Sequence, residues 1–138
     1  MPEGAVRALR SIHAALRPGG VLLDIQPARH DSWVEIQHGD RTLRVAELDE
    51  SPGYDAERAA QTALQTVVDD KLFAPEADLF FTYRYHFDSF DAWVEQMNGW
   101  ERIVMSPELR ERVREALAAT PGKLSVARNM HAARFRRL

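Results

Sequence analysis

Five histidines, His13, His30, His38, His86 and His131, are the side chains best suited to acid–base or metal chemistry near neutral pH. No two of them stand at the i, i+4 spacing that would join them on one helix face, and no zincin-like motif is present. Cysteine is absent, which removes disulfides, thiolate nucleophiles and sulfur-ligated zinc. One candidate for catalysis is the His30-Asp31 pair, which follows the apolar run 21–25. In doubly wound sheets ligands sit beyond the carboxyl ends of the strands, so His30 is placed to act as a general base held by a carboxylate such as Asp31. The same residues also read as an ordinary polar loop. His13 lies beside an apolar helical stripe and reads as a packed or partly exposed histidine.

A second group falls on an alternating segment, 79–87. Thr82, Arg84 and His86 share one face, which could line a pocket or an interface, and Tyr83 and Tyr85 share the other with Leu79, Phe81 and Phe87, which reads as core. Trp93 and Trp100 lie seven residues apart; Trp93 suits a core, and Trp100, near a helix end, suits a half-exposed interface. Arg84, His86 and Trp100 are thus the candidates for contacting a small-molecule substrate. The acids Glu47, Asp49, Glu50, Asp55 and Glu57 surround one loop without EF-hand spacing, so a solvated loop is expected over calcium or paired-carboxylate chemistry. Lys123, Arg128, Arg134, Arg136 and Arg137 form a basic tail that could touch phosphate. It contains no acid, and its strand-like placement reads as a solvated edge or terminus.

The elements that must position these groups follow from periodicity and punctuation. Val6, Leu9, Ile12 and Leu16 give a helix over 5–17, which Pro18-Gly19-Gly20 stops. The run Val21-Leu22-Leu23-Asp24-Ile25 is nearly continuous apolar sequence, the pattern of an inner strand of a parallel sheet covered on both faces. Residues 33–48 read as a hairpin turning at Gly39-Asp40, with Ile36 opposite Leu43, Val34 opposite Val45, and Glu35 opposite Arg44 as a surface ion pair. A loop over 49–54 leads to a helix over 55–72, and Ala74-Pro75 is expected to break the chain before the strand 79–87. Asp88 or Ser89 caps a helix to about residue 101, Ser106-Pro107-Glu108 opens another to about 119, and 123–135 is the last strand.

The 138 residues suit one domain with a single core, and 45% apolar with 28% charged residues excludes wholesale disorder. A net charge of -3 gives no general affinity for nucleic acid. No apolar run approaches a membrane span and no secretory leader is evident, so a cytoplasmic location is expected.

Residues 5–25, with Leu9, Ile12, Leu16 and then Arg17-Pro18-Gly19-Gly20 before the apolar strand, resemble the segment leading into the fifth strand of class I S-adenosylmethionine-dependent methyltransferases. The resemblance implies an α/β fold with a mixed sheet of about four or five strands, corresponding to the C-terminal half of that Rossmann-like fold. The strands 79–87 and 123–135 would be its terminal antiparallel pair, and the hairpin plus helix of 33–72 an insertion. The family's donor-binding motifs precede this segment, and no Gly-x-Gly-x-x-Gly occurs in the chain. The implied protein is methyltransferase-related and holds no cofactor as an isolated chain. It would use S-adenosylmethionine only if an N-terminal half were supplied. A homodimer, a separately encoded N-terminal half, or a longer natural chain that is an active methyltransferase each remain open. A small-molecule enzyme using His30 and Arg84 is the reading outside the family.

Overall fold

The computed structural model describes residues 2–28 and 32–138. The fold is α/β, with four α-helices and five strands in antiparallel pairings among the described residues. The chain forms two compact units. The first takes residues up to Ala28, Tyr54–Phe81 and Met130–Leu138, and the second takes Arg29–Gly53 and Thr82–Asn129.

The first unit holds α1 (Pro2–Ala15), β1 (Val21–Pro27), α2 (Tyr54–Asp69), the start of β4 (Phe73–Phe87) and the end of β5 (Lys123–Arg137). Its core is built on Val67, Phe73, Ala133 and Phe135, against which Leu9 of α1 and Leu22 of β1 are packed. β1 pairs antiparallel with β5, from Val21 opposite Arg136 to Pro27 opposite Met130. The expected parallel setting, with cover on both faces, is therefore corrected. Leu22 turns inward, whereas Leu23 and Ile25 are 66% and 58% exposed. A continuous apolar run shows that both faces of a strand are apolar, but carries no information on what lies over each face.

β4 also departs from expectation. It starts at Phe73 and runs through Ala74-Pro75, where a break was expected. Among the described residues its strand partner is β5, so Pro75 lies on an edge strand, where the missing N–H is tolerated. The contacts of Thr82 with Asn129 and of His86 with Ser125 carry the antiparallel pairing along both strands. The alternation in β4 is real, but its supposed core face is open over much of its length: Leu79, Phe81 and Tyr83 are exposed.

The second unit holds the hairpin of β2 (Trp33–His38) and β3 (Arg41–Glu47), a 3-10 turn at Ser51–Gly53, the remainder of β4, α3 (Phe90–Asn98), α4 (Pro107–Ala119) and the start of β5. The hairpin turns where expected, with Gly39 at φ 58°, a conformation that L side chains resist. Ile36 faces Leu43 and Glu35 faces Arg44 as expected, but a bulge between Val34 and Glu35 puts Val34 opposite Ala46 instead of Val45. Both helix starts follow the sequence: Ser89 Oγ accepts from the Ala92 N–H at 3.0 Å, and Ser106 Oγ accepts from the Leu109 N–H at 3.1 Å ahead of Pro107. β2 also pairs with β5, Ile36 opposite Leu124. At the entry to β5 a Cβ on Gly122 would lie 2.2 Å from the Gln37 carbonyl oxygen, so only glycine permits this approach. The basic tail is thus not a solvated edge. β5 bonds to β1, β2 and β4, and Arg128 is buried within it.

Candidate binding pocket

One open cavity of about 910 Å³ lies within the second unit. The end of β4 supplies Tyr83, Arg84, Tyr85, His86 and Phe87 to its lining, Asp88 follows, and α3 and the turn after it add Glu95, Gln96 and Trp100. The structure therefore brings together Arg84, His86 and Trp100, the three residues the sequence offered for substrate contact.

Their side chains play different parts. Strand alternation turns Arg84 and His86 one way and the tyrosines the other. Arg84 Nε donates to Glu35 Oε2 at 2.9 Å, and His86 Nδ1 lies 3.0 Å from Ser125 Oγ. Aromatic rings form the wall instead. Tyr83 and Tyr85 meet edge to face at 4.6 Å, and Tyr85 meets Trp100 in the same manner at 5.6 Å. The sequence pattern places the tyrosines in a core, and this is corrected: alternation identifies their shared face, but not the point along β4 at which cover gives way to an opening.

Behind the wall is a buried ion pair. The Arg128 guanidinium sits 4.7 Å from the Trp100 ring centroid and is bonded to Glu50. The other Glu50 oxygen accepts the Ser32 N–H at 3.0 Å, and both charged side chains are almost fully buried. Glu50 was expected in a solvated acidic loop and Arg128 on a solvated edge; both are corrected. Neither residue looks unusual in its own neighbourhood, and nothing local signals a partner so distant in the chain. Of the other acids, Asp49 accepts from the Ser51 N–H in the loop, Glu47 at the end of β3 pairs with Arg44, and Asp55 and Glu57 lie in the first turn of α2.

Glu35 is a third correction. It stands opposite Arg44, but it is buried, and Arg84 and the Trp33 indole hold it while Arg44 turns to Glu47. Burial pushes its carboxyl upward, but the hydrogen bonds from Arg84 and Trp33 and the charges of Arg84 and Arg44 together outweigh it, leaving the pKa below the ordinary glutamate value. A depressed pKa in the folded state gives stability that is full above the unfolded value and is lost as pH falls through the folded one. The urea midpoint of the native chain is expected to fall between pH 6 and pH 3. In Glu35→Gln it should start lower and fall less; equal acid slopes would refute this role for Glu35.

His30 and Asp31 lie outside the described residues. His13 is packed as expected, edge-on to Phe73 at 5.4 Å. Among the described residues no group of three or more His, Asp or Glu side chains is arranged to hold a metal ion, and no helix is long and apolar enough to cross a membrane. No protein-family model matches the chain, and no curated protein matches it.

Proposed function

We propose that this chain is the substrate-side half of a class I methyltransferase-type fold, acting as a binding and assembly module without a methyl-donor site of its own. The observation that carries the reading is β1. A strand that follows a helix and Arg17-Pro18-Gly19-Gly20 leaves Val21, Leu23 and Ile25 uncovered, and among the described residues it has a strand partner on β5 alone. An apolar strand with an open edge calls for a second polypeptide surface. The antiparallel placement of β4 and β5, with β5 beside β1, supports the same reading, since the family's sheet ends in such a pair. The occupant of the edge in this reading is a second copy of the chain, pairing β1 to β1 about a two-fold axis.

Two measurements test it. Calorimetric titration of the chain with S-adenosylmethionine is expected to show no binding, and saturable binding would overturn the reading. Light scattering at micromolar concentration is expected to give a dimer that Leu23→Lys with Ile25→Glu converts to a folded monomer. A native chain that is already monomeric would refute the assembly. The reading in which S-adenosylmethionine is used by a longer chain predicts binding only with an added N-terminal half. The alternative that pairs His30 with Arg84 has less support, because Glu35 already engages the Arg84 guanidinium.

A further inference from the structure

We infer that the cavity of the second unit takes a small organic cation, an ammonium group with an apolar body. This names the substrate class of the substrate-side half and rests on that reading. The argument begins from the rings. Tyr83, Tyr85 and Trp100 line the cavity with their planes steeply inclined to one another, 72° between the tyrosines and 87° between Tyr85 and Trp100. Rings so inclined offer a guest both π faces and edges, and an ammonium group near a π face is attracted by the ring quadrupole.

The charges decide the sign of the guest. Four groups on the lining carry or can carry charge: Arg84, His86, Asp88 and Glu95. Glu35 neutralises Arg84, and His86 is engaged by Ser125. The side-chain carboxylates of Asp88 and Glu95 have no hydrogen-bond or ion-pair partner among the described residues. The unbalanced charge at the cavity is therefore negative, from two carboxylates set beside an aromatic wall. An anion would meet both carboxylates and find Arg84 already occupied. A neutral apolar guest would use the rings but leave the carboxylates without a role. A cation uses both, through charge at the carboxylates and π attraction at the rings.

The wall is held in place for such a guest. Trp100 is backed by Arg128, which Glu50 fixes from behind, so the indole is positioned before a ligand arrives. Preorganised rings lower the entropy cost of binding a small, weakly hydrated cation.

Choline is the probe, with 3,3-dimethylbutan-1-ol as its uncharged isostere, each titrated into the full chain in 0.1 M salt and followed by NMR. Choline is expected to shift the Tyr85 and Trp100 signals saturably, and the alcohol to bind at least tenfold more weakly. Asp88→Asn combined with Glu95→Gln, both on exposed side chains, should weaken choline about tenfold while leaving the rest of the spectrum unchanged. Tyr85→Leu should weaken it as well. Equal binding of the alcohol, no saturable choline binding, or affinity unchanged in the double variant would each overturn the inference. The donor titration is read separately. S-adenosylmethionine binding by the isolated chain would remove the methyltransferase reading and leave the choline result standing. A failed choline arm beside a silent donor titration would remove the cation alone.

Discussion

Glu50→Ala is expected to destabilise the protein by about 3–5 kcal/mol, the usual cost of removing one member of a buried ion pair. The reason is the charge left behind. Arg128 is 5% exposed, and burial already pulls its guanidinium below the ordinary arginine pKa, yet arginine stays charged throughout the accessible range. Its Nε has no hydrogen-bond partner among the described residues, so Glu50 carries much of its compensation. Arg128→Met should cost less, because Glu50 then retains the Ser32 N–H and can protonate. The double variant Glu50→Gln with Arg128→Met should be milder than Glu50→Ala, since replacing a whole buried pair is often near neutral. Urea unfolding with an unchanged m-value measures each cost. A loss below about 1 kcal/mol for Glu50→Ala would show that water reaches the pair. The same variants should change the environment of Trp100, which loses the ordered guanidinium over its ring.

Trp93→Ala is the second large effect, again about 3–5 kcal/mol by the general cost of deleting a buried aromatic. Trp93 is fully buried on α3, in the cluster that joins Val34, Ile36, Met97, Val113 and Leu124. Its indole N–H is unusual: it has no hydrogen-bond partner among the described residues although it is buried. Two opposing terms therefore separate the substitutions. Alanine removes the donor but leaves a large cavity. Phenylalanine removes the same donor, keeps most of the ring volume, and forfeits only part of the packing. Trp93→Phe is expected to cost less than half of what Trp93→Ala costs, as read by thermal and urea unfolding. Similar losses for the two variants would show that the indole N–H is hydrogen bonded in solution.

Local sequence carried much of the fold. Ser89 and Ser106 mark helix starts because capping is a contact between near neighbours. Gly39-Asp40 fixes the hairpin for the same reason, and the pairing slips only at Val34, where a bulge inserts a residue that no pattern announces. What was not legible is long-range. Continuous apolar sequence in β1 could not say that one of its faces stays open, and Pro75 could not say that it lies on an edge. The pocket was half legible. Arg84, His86 and Trp100 do line one cavity, but Arg84 is held by Glu35 and His86 by Ser125, and the tyrosines, whose pattern reads as core, line it too. Glu50 and Arg128 show the limit most clearly, because each looks like solvated charge until the fold brings them together.

The position of β5 has a kinetic meaning. It follows β1, β2 and β4, its strand partners among the described residues, and Val21 waits for Arg136, more than a hundred positions later. During synthesis β1, β2 and β4 emerge with edges that cannot yet be satisfied, and the longest loop that must close, between β1 and β5, spans most of the sequence. Folding dominated by such distant pairings is slow, and exposed strand edges invite association between unfinished molecules. The strand that completes the hydrogen bonding of both units is thus also the one that sets how long a newly made chain stays vulnerable.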